Sequence, residues 1–392
     1  MSALSAAFCR ALERIQYGRF HLVTPEGQEY HFSGPQPGAA AHLQLKSWDV
    51  VRNMLLRGDV GLAEDYRDGR WESHDLEGLF LNALQNEQAL DAFIHGGALG
   101  RLAARMLNFV RRNSRRGSRR NIAAHYDLGN AFYQEWLDPT MTYSAALFQT
   151  EDEPLASAQA NKYQRILDQL AKPGNGRILE VGCGWGGFAE TAAQQGYGVH
   201  GITLSREQHA YATTRLETFG DAARVALTDY RDQGGRFDHL VSIEMFEAVG
   251  ERYWPTYFRK MAALLQDRGR AVIQTITIAE PYFERYRRGG DAIRTFIFPG
   301  GMLPSVSRFK AEAAEAGLHV ADAHGFGHDY ARTLRRWQSA FEAKTEKLQG
   351  MGYDARFQRL WRFYLACCAA SFQVGRTDVY QFTLGHAAGR GV

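Results

Sequence analysis

The sequence predicts an α/β fold: a seven-stranded, mostly parallel sheet with helices on both faces, preceded by a small α+β module. Two observations carry this. From about residue 121 onward, short β-branched runs alternate with segments of helical spacing, as strands do when crossover helices join them. One of those runs leads directly into a glycine-rich turn and then a helix, "RILEVGCGWGGFAE" (177–190). Glycines at such a turn let the backbone approach a ligand closely and open the helix that follows.

Residues 1–95 read as the N-terminal module. "GRFHLVTPEGQEYHFSG" alternates apolar and polar residues around "PEG", a hairpin pattern. "SWDVVRNMLLRGDVGLAEDYRDGRWES" then adopts helical spacing with a glycine break. Residues 96–122 form a basic linker with eight arginines between Arg101 and Arg120 and no acid in that span. It reads either as a solvated connector or as a surface attracted to anionic lipid head groups. Residues 123–392 make up the main domain, with strands expected at 177–182, 198–203, 223–228, 237–243, 270–278, 318–324 and 379–386. The stretch 279–376 is longer than a crossover needs and rich in Trp, Phe and Tyr. It is expected to be an insertion that covers the pocket as a lid.

The totals limit the function. At 392 residues there is room for one large or two ordinary domains. A net charge of +3 is too small for a polyanion binder, so no nucleic-acid partner is expected. Cys9, Cys183, Cys367 and Cys368 form neither a disulfide framework nor a zinc spacing, which suits a reducing cytoplasm. No metal is expected; His125 has no second ligand at i+4. There is no transmembrane run and no signal-peptide pattern. The expected location is cytoplasmic, peripheral to the inner membrane, and the chain is compatible with a homodimer.

The strand ends discriminate between ligands. A dinucleotide site spreads its glycines as G-x-G-x-x-G and ends its second strand in an acid for the ribose. Here Gly182, Gly184 and Gly186 alternate after Glu180, and the second strand ends "GITLSREQ" with hydroxyls at Thr203 and Ser205 and then Gln208. The third ends "ALTDYRD", where Asp229 could accept from an adenine amino group. The set suits S-adenosylmethionine, whose cationic sulfonium needs no phosphate cradle, and hence a Rossmann-like class I methyltransferase fold. A nicotinamide-dependent oxidoreductase lacks its acid.

Five stretches, "HYDLGNAFYQEWLDPTMTYSAALF" (125–148), "VGCGWGGFAE", "GITLSREQ", "SIEMFEAVG" and "FIFPGGMLPS", together resemble the cyclopropane-fatty-acyl-phospholipid synthases and the related mycolic acid cyclopropane synthases. The resemblance covers nearly the whole chain. It implies S-adenosylmethionine-dependent methylation of a cis double bond in an acyl chain of a membrane phospholipid, followed by proton loss and ring closure. It further implies that Tyr143 and Ser144 cover the methionine part of the cofactor, with the turn Gly182, Gly184 and Gly186 and the preceding Glu180 behind it. Thr203, Leu204 and Gln208 would meet the ribose, and Asp229 with Tyr230 the adenine.

The family's base is a bicarbonate ion held by Cys, Glu, His and Tyr. In this sequence Glu247 and Tyr330 match that set, but Ala145 stands where the cysteine is expected and Gln274 where the histidine is. These departures count against bicarbonate as a cofactor. One carboxylate is gained: Glu244 occupies a position where many relatives have glycine, and Ala248 one where they have histidine. The expectation is that Glu244, beside Glu247, supplies the charge or the base that bicarbonate supplies elsewhere; the alternative is that Glu244 faces away in a surface ion pair. Proton loss without ring closure would give a methyl-branched or methylene chain, or a furan precursor. A non-catalytic lipid-binding protein is the rival from another class. With the resemblance in hand, the Arg101–Arg120 stretch becomes a candidate for docking on the membrane.

Overall fold

The computed structural model describes residues 3–96, 128–170 and 176–387. The linker from 97 onward, with Arg101–Arg120 and His125, lies outside them. The described residues fall into two compact units. The first gathers residues 3–96, Glu284–Pro299 and Leu334–Arg376; the second holds the remaining described residues.

In the first unit, β1 (Tyr17–Val23), β2 (Glu29–Ser33), β3 (Gln36–Leu45) and β4 (Trp71–Glu72) form a sheet of order β2-β1-β3-β4. The "PEG" hairpin joins β1 to β2, which pair antiparallel, while β3 runs parallel to β1. The alternation in β1 has a plain cause: Phe20 and Leu22 are buried while Arg19 is exposed, because successive side chains leave opposite faces of a strand. Those two residues join a core with Phe8, Leu12, Trp71 and, from the helix Ala355–Gln373, Phe363, Ala366 and Ala370.

That core corrects the expected lid. The stretch 279–376 is not one insertion: Glu284–Pro299 and Leu334–Arg376 group with the N-terminal residues, and Gly300–Thr333 with the second unit. The physical reason is burial. The aromatic helix Ala355–Gln373 buries Phe363, Ala366 and Ala370 in the core of the first unit, so these are packing residues there.

The second unit carries the seven-stranded sheet, ordered β10-β11-β9-β8-β5-β6-β7. Its strands are β5 (Arg177–Val181), β6 (Gly198–Thr203), β7 (Ala223–Leu227), β8 (Phe237–Ile243), β9 (Leu265–Ile278), β10 (Leu318–Gly325) and β11 (Thr377–His386). Neighbours from β7 to β9 are parallel, and β11 is antiparallel to both β9 and β10. Strand β5 is central, and four of its five residues are buried, as a parallel strand covered on both faces requires. The chain first builds outward on one side through β6 and β7, then returns to the other side with β8. This reversal leaves a crevice at the carboxyl ends of β5 and β8, where open α/β sheets bind ligands.

Candidate active site

At the end of β5 the chain must turn sharply to enter the helix Gly187–Gln194. Gly182 takes φ 85° and Gly184 φ 52°, left-handed values that side chains disfavour. A Cβ on Gly182 would meet Met245 Cγ at 2.8 Å, whereas one on Gly184 would have nothing within 4 Å. Above this turn lies a cavity of about 970 Å³, counted out to its open mouth.

Ten of the residues expected at the site line it. Tyr143 and Ser144 form one wall; Glu180, Gly182 and Gly184 lie along β5 and its turn. Thr203, Leu204 and Gln208 follow β6, Tyr230 follows β7, and Glu244 follows β8. Two expected cofactor residues do not line it. Gly186 instead caps the helix Gly187–Gln194 in the left-handed conformation. Asp229 is held by Arg231, which donates to its two oxygens at 2.8 and 2.6 Å.

A cationic ligand suits this cavity. Glu180 is buried, and its Oε2 has no hydrogen-bond partner. Burial pushes its carboxyl well above the usual range, against the pull of Lys162 and Arg215. Bringing a positive group to such a carboxylate restores its charged form. At the other end, Thr203 Oγ1 donates to Gln208 Oε1 at 3.0 Å, which holds two polar side chains together at the cavity edge. These residues would suit S-adenosylmethionine, whose cationic sulfonium the Glu180 carboxyl could oppose.

Beside the cavity is a polar cluster centred on Glu244, one of two described non-glycine residues with positive φ, at 50°. Its Oε1 accepts from Ala145 N at 2.8 Å and from Gln274 Nε2 at 2.7 Å; its Oε2 accepts from Tyr330 Oη at 2.7 Å. Gln274 is in turn held in place, its Oε1 accepting from Gln381 Nε2 at 3.0 Å. The alternative of a surface ion pair for Glu244 does not hold. Burial raises its pKa, while the three hydrogen bonds and the Lys162 charge oppose that rise.

Glu247 lies close by. Its Oε1 accepts from Ile276 N at 2.5 Å and Thr275 Oγ1 at 3.0 Å, and its Oε2 is buried without a partner. Burial, and then the neighbouring Glu244 charge, push its pKa up to about 8. Two adjacent carboxyls cannot both ionise freely. Three donors favour the charge on Glu244, and the raised carboxyl of Glu247 favours the proton there.

This has a consequence for stability. The folded Glu247 carboxyl is raised above its ordinary 4.5 to about 8. The native state therefore holds a proton that the unfolded chain has released, and the stabilisation is lost as pH rises through that window. Glu247→Gln, which mimics the protonated form, should gain on the wild type as pH climbs from about 5 to about 8. Thermal melts of both proteins across that range check it; a constant difference between them would refute it.

Lys162 was not expected from the sequence. It lies on the helix Leu155–Gln169 with no exposed surface. Its Nζ donates to Ser144 Oγ and Gln159 Oε1, both at 2.7 Å, and lies 4.4 Å from the Tyr163 ring centroid. Burial brings its pKa down to about 7, while Glu244, Asp138 and Glu180 pull it back up. One signal was available: Lys162 sits four residues from both Ala158 and Ile166, on the buried stripe of its helix, where a lysine calls for a partner.

Comparison with known proteins gives the family. Residues 113–382 match the family model described as mycolic acid cyclopropane synthetase. The chain belongs to that family. It is 36% identical to the tuberculostearic acid methyltransferase UfaA1 of Mycobacterium tuberculosis, over 98% of this chain and 92% of that one. It is 34% identical to the cyclopropane-fatty-acyl-phospholipid synthase of Escherichia coli, over 90% of each. Among solved structures, the mycolic acid cyclopropane synthase CmaA1 complexed with SAH and CTAB superposes with a TM-score of 0.63 at 32% identity, over 68% of this chain and 97% of that one. This member of the family is thus an S-adenosylmethionine-dependent methyltransferase acting on fatty acyl chains, with the class I fold.

Proposed function

We propose that the enzyme methylates the cis double bond of an unsaturated acyl chain in a membrane phospholipid and closes the product to a cyclopropane, with Glu244 as its built-in carboxylate. S-adenosylmethionine supplies the electrophilic methyl group. An alkene has no proton to remove beforehand, so the protein's part is positioning, exclusion of water and stabilisation of positive charge. The alkene π pair forms the new C–C bond as the sulfonium C–S bond breaks, which leaves a carbocation on the chain. Loss of a proton from the added methyl group then frees the electron pair that closes the ring.

The observation that supports this is the set of donors around Glu244. Ala145, Gln274 and Tyr330 are positions that correspond to the family's bicarbonate site, and here Ala145 N, the Gln274 amide and the Tyr330 hydroxyl all donate to one carboxylate. A fixed anion beside the cavity opposes the cation and accepts the proton without bicarbonate. Tyr143 adds an aromatic face to the cavity wall, to which a cation is attracted. Access to lipid from the membrane surface through Arg101–Arg120 belongs to the same reading. Among the described residues no helix is long and apolar enough to cross a membrane.

A second reading ends in a methylene or methyl-branched chain: a 1,2-hydride shift brings the cation to the methyl-bearing carbon, from which loss of a methyl proton gives the methylene and loss of a chain proton gives a methyl-branched alkene. It is favoured by the 36% identity to a protein named for tuberculostearic acid methylation. Incubation of the purified protein with S-adenosylmethionine and monounsaturated phospholipid vesicles, followed by proton NMR of the released fatty acids, separates the two. Upfield cyclopropane methylene signals are expected. Vinylic methylene or branched methyl signals without cyclopropane signals would replace ring closure with the second reading, and no methyl incorporation would remove both.

A further inference from the structure

The exposed face of the N-terminal sheet carries a row of imidazoles that the methyl-transfer site does not use. Strand pairing sets His31 of β2 opposite His21 of β1, and His42 of β3 opposite His21 on its other side. The His21 and His31 rings stack with centroids 4.3 Å apart, His21 and His42 lie at 5.2 Å, and His42 and His74 at 4.3 Å. The flanking Phe20 and Leu22 point to the core, so the row stands on the opposite face. At its edge, Glu29 Oε2 lies 3.1 Å from His21 Nε2 and 3.9 Å from His31 Nε2.

We propose that His21, His31 and Glu29 form a binding site for a divalent transition-metal ion of the zinc, nickel or copper type, with His42 as a reserve ligand. Imidazole with one carboxylate is the donor set these borderline ions prefer. Metal–ligand bonds of about 2.0–2.1 Å in a tetrahedral site put ligand atoms roughly 3.3 Å apart. The two Glu29 distances already bracket that spacing. The ligand atoms of the three residues all lie within 4.8 Å of one another. His31 and Glu29 are 70% and 61% exposed, so both can swing to close the remaining gap, and water can fill the open positions. His42 has a buried Nδ1 without a partner.

A second cluster shows what such a site must not contain. Glu87, Asp91 and His95 meet the same distance test. There, however, Arg285 donates to Glu87 and Asp91 at 3.0 Å each, and Arg376 to Glu87 at 2.9 Å. Guanidinium charge already occupies the carboxylates, whereas the ion pairs of Glu29 are with the two histidines.

The test uses the tag-free, full-length chain stripped with EDTA. Titration with Co²⁺, read by visible d–d absorption, and with Zn²⁺, read by calorimetry, should show one equivalent bound. The doubly substituted His21→Ala, His31→Ala protein should bind at least about tenfold more weakly, as should Glu29→Gln, in line with the loss of a metal's immediate surroundings. His95→Ala should bind as the wild type does. Zn²⁺ should also raise the melting temperature of the wild type but not of the double variant, since an ion that binds only the folded state stabilises it. Circular dichroism confirms that each variant folds. No cobalt spectrum, equal binding by the double variant, or loss of binding in His95→Ala would each overturn the proposal.

Discussion

Glu244→Gln is expected to lower kcat by about 10²–10³-fold, the usual effect of removing one preorganised charge or one proton acceptor from a dry site. The amide fills the same space, so the loss would be electrostatic. It would also bring an NH₂ group against either the Ala145 N–H and Gln274 amide or the Tyr330 hydroxyl, which now donate to Oε1 and Oε2 respectively. Glu244→Gly should behave differently. The backbone at φ 50° suits glycine, and relieving a left-handed side chain removes strain of about 1–2 kcal/mol. The substitution leaves a vacant, donor-lined space of carboxylate size. Added bicarbonate should therefore restore much of the activity of Glu244→Gly, none of that of Glu244→Gln, and have no effect on the wild type. Steady-state rates with and without bicarbonate decide the matter. A wild type that requires bicarbonate, or a glutamine variant with unchanged kcat, would end the built-in-carboxylate reading.

The sheet was legible because a parallel strand covered on both faces reads as a near-continuous apolar run; in β5, Ile178, Leu179 and Val181 are interrupted only by Glu180 and followed by glycines. Ten of the expected site residues line the cavity because residues at strand ends face the crevice. The errors arose where the partner lies outside the local pattern. The ion pair of Asp229 with Arg231, two residues on, was not foreseen, since such a loop geometry has no periodic signature. The helix Ala355–Gln373 has the same amphipathic spacing whether its apolar face covers a pocket or enters a core, and only long-range contacts with Phe80 and Tyr66 decide. Glu244 was singled out by residue type, but its bonds to Ala145, Gln274 and Tyr330 span 99, 30 and 86 residues and could be seen only once the chain had folded.

Lys162→Met should shift the pH dependence of the reaction and not merely weaken the protein. Lys162 is a positioning residue: it acts through Glu244 and Glu180, whose ionised forms it favours. Without that charge, burial dominates, so both carboxyls hold their protons to higher pH. Glu244 then loses the charge needed near the cation. The acid limb of the kcat profile should move upward by about one unit or more, each unit corresponding to about 1.36 kcal/mol of lost interaction. Activity at neutral pH should fall by about tenfold or more and recover in part in alkaline buffer. Stability should fall too, by about 3 kcal/mol, because removing one member of a buried charged group leaves the others uncompensated and orphans Ser144 Oγ and Gln159 Oε1. Denaturant titration at the same pH values separates the two effects. An equal loss of activity at every pH would mean that Lys162 only packs, whereas a displaced acid limb in a folded variant would mean that it sets the charge on Glu244.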